Sequence, residues 1–250
     1  GKKGGTGFKR SSEFITWEGK GVMKIGAVVL AAGRGSRMGM EIPKQYLEVA
    51  KKPLLIHSLL AFEKSKVDVV ALVVTGGDEE YCAQLLKEHG IKKVKYIVAG
   101  GSERYFSVYE GLKALEEARC DIVSIHDGAR PMVDDLHIQR GIEDTIKYGA
   151  SVLAVPVKDT IRFADEDGFG AQTPDRRKLW SIQTPQTFFY ADCKRAYDQC
   201  VLEKKLDGIT DDAMVLEKIL GKRAKLTMGM YQNIKVTTPE DIGIAEEFLQ

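Results

Sequence analysis

The chain alternates short apolar runs with longer amphipathic stretches. The apolar runs are continuous, which is typical of strands that are buried on both faces. They lie at residues 25–30, 69–74, 94–98, 122–125 and 151–155. The stretches between them place apolar residues three or four apart, which predicts helices at residues 54–64, 79–89, 105–117 and 136–148. Strand and helix in alternation predict an α/β fold of Rossmann-like type, with a mostly parallel sheet flanked by helices.

Residues 158–178 interrupt this alternation. The segment is polar and contains Asp-Gly and Thr-Pro pairs, which favour turns. The sequences IRFA and FGAQ on either side of DEDG predict a β-hairpin arm that projects from the main sheet. Because a lone two-stranded hairpin is only marginally stable in water, we expect the arm to pack on another surface. A second subunit is the natural candidate, so residues 158–178 are predicted to be a dimerisation arm.

Charge and composition exclude some classes of partner. The 37 Lys and Arg residues balance 36 Asp and Glu, which gives no support for a nucleic-acid track. No apolar run approaches the roughly 18 to 20 residues that span a bilayer. The four cysteines are scattered without a C-x-x-C pair, so we expect no zinc site and a cytoplasmic protein with reduced thiols.

The first residues differ in character from the rest of the chain. Residues 1–22 are basic and glycine-rich and lack the apolar stretch of a signal peptide. We interpret them as an expression leader or a disordered tail. Residues 23–250 are then expected to form a single domain.

Residues suited to ligand binding or catalysis follow the predicted strands. This is the edge at which ligands bind in open α/β sheets. The first set is AAGRGSRMG directly after residues 25–30, with a lysine following in IPKQY. Glycines let backbone N–H groups approach an anion, and two arginines add positive charge. The loop matches neither a Walker loop nor G-x-G-x-x-G, so phosphate binding and a plain turn both remain open at this point.

Two further sets follow later strands. In GGSER, Ser102 is predicted to cap a helix whose free N–H groups suit an anion or a base edge, although a simple capped helix is the alternative. In HDGARP, Asp127 ends a strand and is a natural Mg²⁺ ligand, the alternative being a salt bridge to Arg130. We expect His126 to orient backbone, and no Ser–His–Asp arrangement supports acyl transfer.

A last set of hydroxyls and cations suits a phosphorylated polyol, although each member alone could be a turn or a cap. It comprises Asp159-Thr160, Arg176, Thr184-Pro185-Gln186, Thr210-Asp211-Asp212 and Asn233-Ile234-Lys235.

Taken together, these motifs carry a family resemblance over residues 24–250. AVVLAAGRGSRMG, IPKQY, GGSERYFSV, HDGARP, VPVKDTI, LWSIQTPQTF, ITDDAMVLE and NIKVTTPEDI closely resemble the 2-C-methyl-D-erythritol 4-phosphate cytidylyltransferase family of the non-mevalonate isoprenoid pathway. Ribitol 5-phosphate cytidylyltransferases share many of them, but VPVKDTI and NIKVTTPEDI favour the methylerythritol enzymes. The resemblance implies a nucleotidyltransferase type A-like fold and transfer of CMP from CTP, with Mg²⁺, to a phosphorylated sugar alcohol. A non-catalytic nucleotide-binding module on the same fold is the alternative.

The resemblance also implies a role for each matching residue. It assigns the cytidine pocket to Ala31, Ala32, Gly33, Gly101, Ser102 and Ser107. It assigns catalytic charge neutralisation to Arg37, Lys44 and Lys235, and the Mg²⁺ ligand to Asp127. It assigns the methylerythritol phosphate site to Arg130, Thr160, Arg176 and Thr184. The hairpin arm would clasp its twin in a homodimer, so that Arg176 serves the neighbouring subunit.

Overall fold

The computed structural model describes residues 8–10, 15–17, 21–33, 43–203 and 208–250. The strands in these ranges are β1 (Phe8–Arg10), β2 (Ile15–Trp17), β3 (Gly21–Val22), β4 (Ile25–Ala31), β5 (Glu48–Val49), β6 (Lys52–Pro53), β7 (Val69–Val74), β8 (Val94–Ala99), β9 (Ile122–Asp127), β10 (Ala150–Pro156), β11 (Trp180–Phe189) and β12 (Lys225–Met228). The α-helices are α1 (Leu54–Lys64), α2 (Glu79–Glu88), α3 (Arg104–Ala114), α4 (Asp135–Tyr148), α5 (Tyr190–Leu202), α6 (Asp212–Leu220) and α7 (Pro239–Leu249).

A central sheet of seven strands organises the molecule, in the order β12-β10-β11-β9-β4-β7-β8. The strand pairs β12–β10, β9–β4, β4–β7 and β7–β8 are parallel, whereas β11 runs antiparallel to both of its neighbours. The predicted mostly parallel α/β sheet is confirmed, and the five predicted strands end within two residues of their predicted positions. The sequence did not predict β11, whose polar residues and proline hide the strand pattern.

The core lies on both faces of this sheet. Side chains of consecutive strand residues point to opposite faces, so Val28 and Val29 of β4 belong to different clusters. Val29 packs with apolar residues of α1, α2 and α4. Val28 packs with apolar residues of α3, α5 and α6. The helices therefore flank both faces, as predicted.

A third apolar cluster joins the C-terminal segment to the carboxyl edge of the sheet. Val236 is fully buried there with Ala129 and with Ala245 of α7. The Val236 N–H donates to the Ala129 carbonyl at 2.8 Å. This contact brings the segment before α7 beside the end of β9.

Helix α3 begins one residue before its predicted start at residue 105, but its N-cap differs from the prediction. Its first residue is Arg104 and its N-cap is Glu103, which makes no side-chain capping hydrogen bond. The prediction that Ser102 caps the helix is therefore wrong. A Cβ atom on Gly101 would lie 2.3 Å from the Phe106 Cβ, so the glycine pair folds back on the first turn of the helix instead of leading straight into it.

Residues 158–178 form the predicted hairpin arm. The Phe163 N–H donates to the Gln172 carbonyl at 2.7 Å, and the Ala171 N–H donates to the Phe163 carbonyl at 2.8 Å. Gly168 has a φ of 85°, a left-handed conformation that favours glycine. Every residue from 158 to 173 is exposed within the single chain.

The N-terminal residues contain short paired strands. Strands β1, β2 and β3 pair antiparallel within residues 1–22, where we predicted a leader or a disordered tail. The interpretation as a leader stays a prediction. Within the described residues, no helix has both the length and the apolarity needed to cross a membrane.

Candidate active site

A cleft of about 800 Å³ lies at the carboxyl ends of β4, β7, β8 and β9. This is the edge where the sequence predicted ligand binding. Its described lining residues are Leu30, Ala31, Ala32, Gly33, Lys44, Gln45, Thr75, Gly76, Gly100, Gly101, Ser102, Glu103, Arg104, Ser107, Asp127, Ala129, Lys235 and Thr237.

One corner of the cleft is formed by two closely packed loops. A Cβ atom on Gly100 would lie 2.5 Å from the Ala32 Cβ and 2.7 Å from the Ser107 Oγ. Only glycine fits at this position without displacing the loop after β4. Small side chains on both loops leave backbone groups of residues 31–33 and 100–102 to line the corner. A flat, polar-edged ligand is suited to such a surface.

A 3-10 turn, Lys44–Tyr46, forms another wall of the cleft. The buried Gln45 Nε2 donates to the Ala31 carbonyl at 2.8 Å, which fixes the turn to the end of β4. The Tyr46 hydroxyl donates to Asp78 Oδ2 at 2.8 Å. With the turn held on both sides, Lys44 reaches across to the C-terminal segment, where its Nζ donates to the Val236 carbonyl at 3.0 Å.

Asp127 lies between two cations at the end of β9. Its Oδ1 is 3.1 Å from Arg104 Nε, and its Oδ2 is 2.8 Å from Lys235 Nζ. Burial alone would raise the pKa of the Asp127 carboxyl, but the charges of Arg104 and Lys235 outweigh burial and hold the pKa well below its ordinary value. Asp127 is therefore an anion at neutral pH.

The alternative salt bridge between Asp127 and Arg130 is not formed. The Arg130 guanidinium instead donates to the carbonyls of Asn233 at 2.6 Å and Ile182 at 3.4 Å. Burial lowers the pKa of Arg130. Arg130 thus ties the C-terminal segment to β11 behind the cleft.

His126 orients backbone, as predicted. Its Nε2 contacts the Arg130 carbonyl at 3.2 Å, and its Nδ1 contacts the Thr184 hydroxyl at 3.0 Å. A carbonyl only accepts, so Nε2 carries the proton and Nδ1 accepts from Thr184. The same hydroxyl accepts the Asp127 N–H at 3.0 Å. Burial lowers the pKa of His126 to about 3, so the imidazole is neutral and acts as structural support for Asp127.

Sequence reasoning missed the role of Arg104. Its Nη1 and Nη2 donate to the two carboxylate oxygens of Asp212 at 2.9 Å and 2.8 Å. Arg104 and Asp212 both lie in motifs that the sequence singled out, GGSER and ITDDAM. They are 108 residues apart, however, and a single sequence holds no signal that pairs them.

Comparison with known proteins places this site in a family. The family model described as 2-C-methyl-D-erythritol 4-phosphate cytidylyltransferase matches residues 25–250. The relative of that name from Alkaliphilus metalliredigens is 46% identical over 228 residues, covering 90% of this chain and 93% of its own. The one from Pelotomaculum thermopropionicum is 47% identical over 229 residues, covering 91% and 94%. The chain belongs to this cytidylyltransferase family.

Solved structures agree with the assignment. The crystal structure of 4-diphosphocytidyl-2C-methyl-D-erythritol synthase from Anaerococcus prevotii has a TM-score of 0.79 and 31% sequence identity to this chain. The match covers 91% of this chain and 96% of that one. The enzyme described here is therefore a cytidylyltransferase with the fold of its family.

The structure brings most of the predicted residues of the cytidylyltransferase to one cleft. Those that line it are Ala31, Ala32, Gly33, Lys44, Gly101, Ser102, Ser107, Asp127 and Lys235. Arg37 lies outside the described residues. Among the other predicted residues, Arg130 and Thr184 lie behind the cleft, and neither lines it. Thr160 and Arg176 are exposed on the arm segment, where Arg176 Nη1 donates to the Lys158 carbonyl at 2.6 Å. The roles of these residues stay predictions.

The donors present suit a metal ion that arrives with the nucleotide. No group of three or more His, Cys, Asp or Glu side chains among the described residues could hold a metal ion. Asp127 and Glu103 are the two residues with carboxylate side chains among the described lining residues of the cleft. Mg²⁺ commonly binds through one or two carboxylates and takes its remaining ligands from substrate phosphates and water. The site therefore fits a nucleotide-borne Mg²⁺ better than a resident metal centre.

Proposed function

We propose that this enzyme transfers CMP from CTP to 2-C-methyl-D-erythritol 4-phosphate, giving 4-diphosphocytidyl-2-C-methyl-D-erythritol and pyrophosphate. The observation that carries the proposal is the arrangement of Lys44, Lys235 and Asp127 in one cleft of a chain that belongs to this family. The names of its relatives support the choice of substrates.

The chemistry needs no protein base. A phosphate oxygen of the sugar alcohol, already ionised at neutral pH, attacks the α-phosphorus of CTP in line with the leaving group. The new P–O bond forms as the bond between the α-phosphorus and the pyrophosphate oxygen breaks, and pyrophosphate carries the electron pair away. The difficulty is that an anion must approach a polyanion, so catalysis rests on positioning and on charge neutralisation.

The cytidine moiety would occupy the corner between residues 31–33 and 100–102. Backbone groups there, together with the Ser107 hydroxyl, are placed to bind the edge of a base. Ser107 is buried, and its hydroxyl donates to the Glu103 carbonyl at 3.3 Å, which holds the side chain in place. The close approach of Gly100 to Ala32 fixes the width of this corner.

The triphosphate would extend from that corner towards the cations. Lys44 and Lys235 line the cleft and would neutralise charge on the α-phosphate and the leaving pyrophosphate, together with Arg37. Removing one fixed donor of this kind typically costs about 3 kcal/mol in the barrier, or roughly a hundredfold in rate. Mg²⁺, held by Asp127 and phosphate oxygens, would supply further charge neutralisation when bound.

The acceptor site would be completed by a second copy of the chain. Three large apolar side chains are exposed on the arm, Ile161, Phe163 and Phe169, at 42%, 58% and 73% of their accessible surface. Two arms that clasp each other would cover these side chains in a cytoplasmic homodimer. Arg176 and Thr160 would then contribute to the neighbouring site, whereas Arg130 and Thr184 would support their own site from behind the cleft.

Pyrophosphate release tests the proposal directly. The enzyme is supplied with CTP and Mg²⁺ and with either methylerythritol 4-phosphate or ribitol 5-phosphate. We expect release with the methylerythritol substrate and loss of it in Lys44→Met. The matched control is Lys52→Met, since Lys52 lies eight residues further on in β6 and outside the cleft lining. Release with ribitol phosphate alone would place the enzyme in the neighbouring family. CTP binding without release with either acceptor would favour a non-catalytic module.

A further inference from the structure

Asp212 is a buried carboxylate for which the mechanism above has no use. Its side chain is completely inaccessible to solvent. It accepts hydrogen bonds from Arg104 Nη1 at 2.9 Å, Arg104 Nη2 at 2.8 Å and the Tyr197 hydroxyl at 2.5 Å. A charge without solvent needs such partners to be tolerated. Asp212 thus holds Arg104 in a two-pronged, charge-assisted contact.

The position of Asp212 is set by the central sheet. Gln186 of β11 accepts the backbone N–H groups of Asp212 at 3.1 Å and Ala213 at 3.0 Å with its Oε1. Gln186 in turn pairs with Ile125 of β9, two residues before Asp127. Asp212 and Asp127 are therefore fixed relative to each other through the same pair of strands.

Arg104 is shared unequally between these two carboxylates. Its two Nη atoms contact Asp212, and only Nε, at 3.1 Å from Oδ1, contacts Asp127. The other oxygen of Asp127, Oδ2, is left to a second cation and lies 2.8 Å from Lys235 Nζ. A guanidinium that forked onto Asp127 with two N–H groups would instead engage both of its oxygens.

We propose that Asp212 is a positioning residue for the divalent cation: by holding both Nη atoms of Arg104, it prevents Arg104 from engaging both oxygens of Asp127, so that a cation from the cleft competes for Oδ2 with Lys235 and not also with Arg104. The inference rests on the proposed role of Asp127 as metal ligand. Asparagine at position 212 would leave Asp127 as the only carboxylate paired with Arg104 in the described structure. Arg104 would then fork onto Asp127 and compete with the metal ion.

The test measures how strongly a metal ion tightens CTP binding, without turnover. CTP affinity is determined by calorimetry on the full chain, without acceptor, once with saturating Mn²⁺ and once with EDTA. The ratio of the two affinities is the coupling between metal and nucleotide, and it cancels changes that affect CTP binding alone. We expect Asp212→Asn to reduce this ratio by at least about tenfold, as substitutions behind metal ligands commonly do.

Two variants separate positioning from simple stabilisation. Tyr197→Phe removes another donor from the same carboxylate but leaves the Arg104 fork intact, so the ratio should stay at the wild-type value. The double variant Arg104→Gln/Asp212→Asn removes the competing guanidinium together with its buried partner, so the ratio should return to the wild-type value. Because this variant removes the buried pair as a pair, it should fold even if Asp212→Asn does not, and a lost ratio in it would then still overturn the inference.

The outcomes distinguish the inference from the proposed function. The comparison requires that Asp127→Asn abolishes the coupling between metal and nucleotide. In that case, an affinity ratio at the wild-type value in Asp212→Asn would overturn the inference. An affinity ratio below the wild-type value in the double variant would overturn it as well. If Asp127→Asn keeps the coupling, Asp127 is not the metal ligand, and the metal assignment and the inference fail together.

Discussion

Lys235 Nζ lies 2.8 Å from Oδ2 of Asp127, although the two residues are 108 positions apart in the chain. The contact exists because the N–H of Val236 pairs with the carbonyl of Ala129, which aligns the C-terminal segment with the end of β9. Lys235 is thereby held at the cleft before any ligand arrives. Its partner is the same carboxylate that we propose as the metal ligand, so a bound cation and Lys235 compete for Oδ2. Metal binding would thus release Lys235 towards the phosphates.

This arrangement predicts the effect of removing Lys235. Lys235→Met should lower kcat by roughly a hundredfold, because a fixed cation no longer stabilises charge in the transition state. CTP affinity should fall much less than kcat. Steady-state kinetics and CTP titration measure the two quantities. The matched control is Lys147→Met, which removes an exposed lysine that stacks on Tyr148 away from the cleft. Equal losses of affinity and unchanged turnover would show that Lys235 only binds CTP.

The fold was largely predictable from sequence, whereas the site was predictable only in part. The strands at residues 25–30 and 69–74 were readable because burial on both faces makes them continuously apolar. Much of β11 is also buried, but several of its buried side chains are polar and form hydrogen bonds inside the protein. Thr187, for example, is fully buried and shares a hydrogen bond with the Ser124 hydroxyl at 3.0 Å. Such hydrogen bonds depend on a residue of the neighbouring strand. They leave no hydrophobic periodicity that would reveal β11 in the sequence.

The same reasoning explains what was missed at the site. Ala31 and Asp127 end their strands and Gly101 lies two residues beyond one, so the rule for parallel sheets places them at one edge. The Arg104–Asp212 pair joins two helix starts, and its existence depends on the hydrogen bonds from the start of α6 to Gln186 of β11. The N-cap of α3 was also misassigned, because Ser102 is a favourable capping residue that here belongs to the loop.

Gly100 provides a test of the cytidine corner. In Gly100→Ala the new methyl group would collide with Ala32 and Ser107, at 2.5 Å and 2.7 Å. Overpacking of this kind typically destabilises a fold by 1–3 kcal/mol. Here it is relieved by moving the loop after β4, which changes the corner that we assign to cytidine, and a loss of about 1.4 kcal/mol of binding free energy would lower CTP affinity by roughly tenfold. The control is Gly76→Ala, which also lines the cleft but whose nearest neighbour, the Ala99 Cβ, would lie at an ordinary 3.7 Å. Calorimetric titration with CTP compares the two. Similar losses of CTP affinity in both variants would show that the nucleotide does not bind at this corner.

His126 makes stability depend on pH in a defined direction. Burial lowers the pKa of His126 from 6.5 to about 3, so the folded protein keeps the imidazole neutral where the unfolded chain binds a proton. The contribution to stability is complete above pH 6.5 and is lost as the pH falls towards 3. Between pH 7 and pH 5 the loss amounts to about 2 kcal/mol of unfolding free energy.

Urea unfolding of wild type and His126→Gln at pH 7 and pH 5 measures this loss. The variant should be less stable at pH 7, because Thr184 loses its acceptor, but its stability should fall less between the two pH values. His57, whose pKa burial also lowers, is present in both proteins and does not affect the difference. Parallel losses in the two proteins would show that His126 is not held neutral by the fold.

The arm makes a prediction about how two subunits share a site. Residues 158–173 are exposed in the single chain, and Arg176 lies at the base of the arm without lining the cleft. If Arg176 acts in the neighbouring subunit, Arg176→Ala and Asp127→Asn should each be nearly inactive alone. A mixed dimer would contain one site with wild-type Asp127 from one subunit and wild-type Arg176 from the other. After equal mixing and reassociation, roughly a quarter of wild-type activity should return, since half of the dimers are mixed and each has one intact site.

Complementation therefore requires a dimer that the arm holds together. Phe163→Glu places a charge on an arm side chain that is 58% exposed in the single chain, and it should give monomers in analytical ultracentrifugation and abolish the recovered activity. Phe248→Glu is the control, because Phe248 of α7 is similarly exposed, at 52%, but lies outside the arm. If mixing restores nothing while the wild type sediments as a dimer, Arg176 acts within its own subunit. If the wild type sediments as a monomer, the arm has another role, and the exposed Ile161, Phe163 and Phe169 need a different partner.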